Sequence, residues 1–77
     1  MENGATDDKK YFRKVGARIR KIRMEKNIRQ VELALRCDID KQNMNQIEKV
    51  GLNLTLSTLL RITKALDIEM VDLFEEL

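Results

Sequence analysis

The sequence predicts an all-α fold, and three observations lead to that prediction. The chain has 77 residues, no proline and 3 glycines, so few residues interrupt helices or favour tight turns. Apolar residues recur at spacings of three and four, which is the period of an amphipathic helix. No stretch sustains the alternating pattern of a β-strand. We therefore expect a compact bundle of five helical segments.

The first helix is predicted to begin at about Asp7 or Asp8, because acidic residues suit a helix N-terminus, and to end at about Lys26. The members of its apolar face, three or four residues apart, are Phe12, Val15, Ile19 and Ile22. Gly16 interrupts this pattern at a cost of about 1 kcal/mol relative to alanine, which indicates a close packing contact. Asn27 suits the left-handed conformation that often ends a helix.

A second, short helix is predicted over residues 29–37, and Asp38 can end it in a left-handed conformation. Its apolar set is Val31, Leu33, Ala34 and Cys37. Asp40 is a good N-cap for a third helix that runs to about Lys49. The two helices are therefore separated by a turn of only three residues.

The third helix begins within the stretch CDIDKQNMNQIEK, which is rich in side-chain amides. Such runs are usually loops, but this one lies between two helical patterns. A helix anchored inward by Met44 and Ile47, three residues apart, turns its polar side chains outward together. We expect the exposed polar face to consist of Lys41, Gln42, Asn45 and Gln46, with Asn43 at its edge.

A loop over residues 50–54 is followed by a fourth helix, which Thr55 can cap and Asp67 can end. Its residues predicted to turn mostly inward are Leu56, Leu59, Leu60, Ile62, Thr63 and Leu66. A fifth helical segment, residues 69–77, carries more apolar side chains than a small core requires. We expect a subunit interface that includes Leu52, Leu54, Val71, Phe74 and Leu77.

Composition limits the class of protein. Hydrophobic residues make up 43% of the chain, as in a folded domain, and we expect a flexible tail over residues 1–8 and one domain over residues 9–77. No apolar run approaches the roughly 18 residues of a membrane span, and the N-terminus lacks a signal-peptide pattern, which predicts a cytoplasmic protein without membrane contact. One cysteine and no histidine predict no disulfide, structural metal or cofactor.

Charge is distributed unevenly although the formal net charge is only +2. Residues 9–29 are strongly basic, with Glu25 as the only acidic residue among them. Residues 67–76 are acidic and contain no lysine or arginine. Such a molecule can turn a basic side towards a polyanion.

The two short helices and their turn match the helix-turn-helix unit, whose second helix enters the DNA major groove. Further matching residues are Arg18, Arg20 and Arg23, then Gln30-x-x-Leu33-Ala34, Ile39-Asp40, Met44, Ile47-Glu48, Leu59-x-x-Ile62-x-x-Ala65-Leu66 and Leu73-Phe74. Together they make the segment from Val15 to Phe74 resemble the Cro/C1-type (XRE family) helix-turn-helix domain of phage repressors, restriction-modification controllers and antitoxins. Asp38 and Asp67 stand where this family usually has glycine, and both tolerate a left-handed conformation.

This resemblance implies a lambda-repressor-like domain that binds double-stranded DNA as a homodimer on a pseudo-palindromic operator and acts as a transcription regulator, such as a repressor. It implies base reading by Lys41, Gln42, Asn43, Asn45 and Gln46. It implies a phosphate contact by Gln30, and we add Arg20, Arg23, Arg29, Lys49 and Asn53 as further phosphate candidates. It also implies an ion pair between Arg23 and Glu48 that fixes the third helix.

Two alternatives belong to other functional classes. On the same fold, the chain could act mainly through a toxin or another protein partner, as an antitoxin with secondary DNA binding. An enzyme is a poor alternative, because the sequence offers no histidine, no glycine-rich phosphate loop and no nucleophile with a nearby base.

Overall fold

The computed structural model describes the backbone of residues 4–77 and the side chains of residues 8–77. This part of the chain contains no strand, and its helices are α1 (Gly4–Glu25), α2 (Gln30–Cys37), α3 (Lys41–Val50), α4 (Leu56–Leu66) and a 3₁₀-helix (Met70–Phe74). The all-α prediction is confirmed. The prediction of five helices in one bundle is wrong, because residues 4–77 form four α-helices and the fifth segment is only a short 3₁₀-helix.

The 3₁₀-helix owes its form to bonds between residues three apart. The backbone N–H of Asp72 donates to the Glu69 carbonyl oxygen at 3.0 Å, and the Asp72 carboxylate accepts from the Glu69 backbone N–H at 2.8 Å. These reciprocal bonds close a single tight turn, and such turns rarely extend beyond a few residues.

At the other end of the chain, α1 begins at Gly4, earlier than the predicted start at Asp7 or Asp8. Residues 1–3 lie outside the described part, so the predicted tail over residues 1–8 stays a prediction.

The predicted helix ends are confirmed at several positions. The Asp40 carboxylate accepts from the backbone N–H of Asn43 at 2.7 Å, and the Thr55 hydroxyl accepts from the backbone N–H of Thr58 at 3.1 Å. Asp38 and Asp67 end α2 and α4 with φ values of 55° and 57°. Both aspartates therefore perform the conformational role that glycine usually has at such positions.

All five helical elements contribute to one small core. Its buried apolar residues are Val15, Ile19, Ile22, Leu33, Ala34, Cys37, Met44, Ile47, Leu59, Ile62, Leu66 and Leu73. Met44 and Ile47 are 0% and 1% exposed, so they anchor α3 as predicted. No helix within residues 4–77 is long and apolar enough to cross a membrane.

Some residues predicted to face inward are instead exposed. Their exposed fractions are 44% for Phe12, 40% for Val31, 67% for Leu56 and 53% for Leu60. On α4, the inward direction is set by Leu59, Ile62, Thr63 and Leu66. Leu60 follows Leu59 by about 100° around the helix, so its side chain lies at the edge of the covered face. The sequence pattern overestimated the width of the buried stripe.

Gly16 lies where α1 crosses α3. A Cβ atom at this position would collide with the backbone carbonyl oxygen of Ile47. The predicted close contact is therefore confirmed, and the absence of a side chain lets the two backbones approach directly. This contact places the amide-rich helix against the longest helix of the molecule.

Candidate nucleic-acid interface

The outer side of α3 presents a row of polar side chains. Lys41, Gln42 and Asn45 are exposed, and Asn43 and Gln46 are half-buried. The inner side of the same helix is buried at Met44, Ile47 and Glu48. The structure thus brings all five predicted base readers together on one surface.

Two shallow depressions divide this surface. The first is lined by Gln30, Asp40, Lys41, Gln42 and Asn45. The second is lined by Asp40, Gln42, Asn43 and Gln46. Asp40 and Gln42 border both, while Asn45 faces the side on which α2 begins.

A buried ion pair holds α3 from behind. Arg23 donates from Nε to Glu48 Oε2 at 2.7 Å and from Nη2 to Glu48 Oε1 at 3.0 Å. Arg23 and Glu48 are only 8% and 4% exposed, and Arg23 Nη1 also donates to the Ile28 carbonyl oxygen at 2.7 Å. This bidentate pair, which the family resemblance implies, fixes α3 to α1 and to the connection before α2.

Gln30, the first residue of α2, extends this network to the exposed surface. Its Nε2 atom donates to Glu48 Oε1 at 3.1 Å and to Asn45 Oδ1 at 3.5 Å. Sequence reasoning assigned Gln30 to a phosphate and missed its contact with α3. No periodic signal could have shown it, because the two residues lie on different helices.

The N-terminus of α2 differs from those of α3 and α4. Its N-cap is Arg29, and no described side chain accepts a hydrogen bond there, whereas Asp40 and Thr55 cap the other two helices. The open backbone N–H groups and the positive end of the helix dipole favour an anion. Among the other phosphate candidates, Arg20, Lys49 and Asn53 are exposed.

The acidic C-terminal end binds a different side of α1. Arg18 Nε donates to the Asp72 carbonyl oxygen at 2.9 Å, and the Arg18 guanidinium lies 3.8 Å from Glu75 and 3.7 Å from Glu76. Lys21 lies 3.9 Å from Glu76. Part of the positive charge of α1 is therefore balanced within the molecule.

The predicted interface residues fall into two groups. Val71, Phe74 and Leu52 are 62%, 47% and 47% exposed. Leu54 and Leu77 are half-buried and pack against the core, and Leu77 also accepts a bond from Lys14 through its backbone oxygen at 2.9 Å. Leu52 and Leu54 line a groove with Phe12. The sequence missed the exposure of Leu35, which is 78%.

Cys37 is buried within the core. Burial raises the pKa of its thiol, and the nearby charge of Arg61 opposes that effect only in part. The thiol is therefore protonated at neutral pH and packs as a small apolar side chain, as expected from the sequence.

A family model described as helix-turn-helix matches residues 19–73. The chain belongs to the Cro/C1-type helix-turn-helix family. Control protein C.BamHI from Bacillus amyloliquefaciens is 34% identical over 61 residues, which cover 78% of this chain and 75% of that protein. This family is one of helix-turn-helix regulators.

Solved structures of family members agree in fold. The restriction-modification controller protein C.AhdI from Aeromonas hydrophila is 33% identical, with a TM-score of 0.78, over 82% of this chain and 96% of that chain. Wild-type restriction-modification controller protein C.Esp1396I is 38% identical, with a TM-score of 0.75, over 83% of this chain and 82% of that one.

Proposed function

We propose that this family member is a sequence-specific transcription regulator that binds double-stranded DNA as a dimer and controls a restriction-modification system. The observation that carries the proposal is the polar outer side of α3, which is exposed while the Arg23–Glu48 pair and Met44 hold the helix from behind. The similarity to controller proteins supports the biological context. A regulator of this kind acts in the cytoplasm.

The side chains on α3 have the chemistry required to read base edges. Glutamine and asparagine can form two hydrogen bonds with adenine, and lysine can donate to guanine, with each good contact contributing about 1–3 kcal/mol of discrimination. Gln42 and Gln46 line the same shallow depression. We expect these two residues to make the central contacts in the major groove.

Phosphate contacts would set the register of α3 in the groove. The uncapped N-terminus of α2 and the Arg29 side chain offer one such contact. Arg20, Lys49 and Asn53 are exposed candidates for others. Arg23 has fewer N–H groups available for a phosphate, because three of its five already have partners.

A dimer would use the apolar side chains that the core leaves uncovered. Side chains three residues apart nearly eclipse in a 3₁₀-helix, so Val71 and Phe74 share one outward face while Leu73 is buried. A two-fold dimer would place two copies of α3 about 34–36 Å apart, one turn of DNA. Leu52, Leu54 and Leu77 remain candidates for the edges of this interface.

The DNA-binding proposal is tested by selecting bound duplexes from a random pool and measuring affinity at two salt concentrations. We expect Gln42→Ala and Gln46→Ala to weaken binding to the selected duplex by about 5- to 100-fold while leaving binding to scrambled DNA unchanged. The control is Lys64→Ala, at an exposed position on α4. It should change the affinity for neither the selected duplex nor scrambled DNA. Salt-sensitive binding without sequence preference would contradict the proposal.

The dimer is tested by analytical ultracentrifugation. Phe74→Ser should shift the chain towards monomer, whereas Leu35→Ser, at a more exposed leucine outside the proposed interface, should leave the equilibrium unchanged. A monomer at high micromolar concentration, with and without DNA, would rule the dimer out. Copurification with a small unrelated protein would instead favour the toxin-partner alternative.

A further inference from the structure

We infer that Gln30 is a specificity-determining residue, because it fixes which end of the Asn45 amide faces the DNA. Asn45 then reads hydrogen-bond acceptors on a base, with guanine preferred over adenine. The inference rests on the proposed function of α3 and narrows the general expectation that asparagine pairs with adenine.

The reasoning starts at Glu48. Both oxygens of its carboxylate accept from the guanidinium of Arg23, at 2.7 and 3.0 Å, and a carboxylate can only accept hydrogen bonds. Gln30 lies 3.1 Å from Glu48 Oε1. The Gln30 atom at that contact must be the amide nitrogen, because an oxygen there would repel the carboxylate.

The Gln30 amide nitrogen carries two protons, and only one is used by Glu48. The second is directed at Asn45, whose Oδ1 atom lies 3.5 Å away. The contact is long, but reversing the Asn45 amide would place two donors against each other. Asn45 therefore turns its oxygen towards Gln30 and its NH₂ group away from it, into the depression that both residues line.

An outward NH₂ group can only donate. Guanine presents two acceptors in the major groove, O6 and N7, whereas the two-bond contact with adenine requires one donor and one acceptor from the same amide. The contact with Gln30 turns the Asn45 oxygen away from the base, so the amide cannot present a donor and an acceptor to the same adenine. The geometry therefore favours guanine at the base that Asn45 contacts and disfavours cytosine, which presents a donor.

The same network changes the expected role of Gln30 at the phosphate backbone. With one amide proton donated to Glu48 and the other to Asn45, the remaining polar atom of the Gln30 side chain is the acceptor Oε1. A phosphate oxygen is also an acceptor, so the phosphate at this end of α2 would be bound by backbone N–H groups and Arg29 instead.

The experiment first uses Asn45→Ala to find the operator position at which base preference is lost. Binding of the native chain is then measured with each of the four bases at that position. We expect guanine to be preferred over adenine by about tenfold or more. Gln46→Ala is the control, and it should alter a different position without changing this ratio.

Two further variants test whether Gln30 fixes the orientation of the Asn45 amide. Gln30→Met keeps the length of the side chain but removes its donors, so the Asn45 amide can rotate and the guanine preference should fall to within about threefold. Asn45→Asp can accept from Gln30 with one oxygen and present the other, so the preference should move towards cytosine. Circular dichroism melts would verify that each variant is folded.

The outcomes separate this inference from the proposed function. Sequence-blind binding by the native chain would refute the proposed function. Two results with specific binding would overturn only the inference about Gln30. One is a preference for adenine at the Asn45 position, and the other is a Gln30→Met variant that keeps the native ratio of guanine to adenine binding. Specific binding with no position sensitive to Asn45→Ala would also overturn it.

Discussion

Two sets of ionic contacts hold other segments against α1, and they differ in almost every physical respect. The Arg23–Glu48 pair is bidentate, with side chains 10% and 2% exposed. The contacts of Arg18 and Lys21 with Glu75 and Glu76 are 3.7–3.9 Å long, and the glutamate side chains are 56% and 75% exposed. Water screens the second set strongly and the first very little.

The difference between the buried pair and the exposed contacts shows which segment is held rigidly against α1. The buried pair, together with the Gly16 crossing, attaches α3, the helix proposed to read DNA. The exposed contacts attach the acidic end of the chain, which has no proposed role in base reading. Substitutions on the two sides of α1 should therefore differ in stability and in DNA affinity.

The largest effect is expected from Glu48→Ala. This change leaves the Arg23 guanidinium buried without its carboxylate partner, and such changes typically cost about 3–5 kcal/mol. Urea denaturation should show that loss in the free energy of unfolding, and DNA affinity should fall with it. A loss below about 1 kcal/mol would contradict the buried character of the pair.

Gly16→Ala should have the next largest effect on stability. An alanine in an exposed helix position stabilises by about 1 kcal/mol relative to glycine, but here the added methyl group collides with the Ile47 carbonyl. We expect a net destabilisation of about 1–3 kcal/mol, measured by urea denaturation. An increase in stability would show that α1 and α3 do not approach as described.

Asp40→Ala sharpens the comparison because Thr55→Ala is a matched control. Each substitution removes one N-cap bond and should cost about 1 kcal/mol in thermal or urea unfolding. Of the two, only Asp40 caps the helix that carries the proposed base readers. Titration of the selected duplex should therefore show weaker binding for Asp40→Ala and unchanged binding for Thr55→Ala.

The smallest effect is expected from Glu75→Gln and Glu76→Gln. Exposed ion pairs contribute less than about 1 kcal/mol, so either variant should unfold at nearly the same urea concentration as the native chain. Raising the salt concentration should remove what difference remains. A loss comparable to that of Glu48→Ala would show that the two sets of contacts are equivalent.

Local features were predictable from the sequence because their causes lie within a few residues. The caps at Asp40 and Thr55 and the left-handed stops at Asp38 and Asp67 depend only on side-chain chemistry and backbone conformation. The inward pair Met44 and Ile47 followed from helical periodicity. The exposed polar face of α3 followed from the same pattern.

Several features that depend on a neighbouring element did not follow from residue spacing. The exposure of Leu56 and Leu60 depends on which side of α4 other helices cover. The 3₁₀ form of the last segment was missed for another reason, because the local bonds between Glu69 and Asp72 leave no mark in the apolar periodicity. The contact of Gln30 with Asn45 requires the crossing of α2 and α3, which residue spacing alone does not specify.

The bare backbone contact at Gly16 has a mechanical consequence. α1 carries much of the positive charge of the chain, and at Gly16 it rests directly on the carbonyl groups of α3, without a deformable side chain between them. When electrostatic attraction moves α1 towards a nucleic acid, α3 therefore moves with it. The attraction of α1 to the DNA and the alignment of α3 in the groove would then be one movement of a rigid pair of helices.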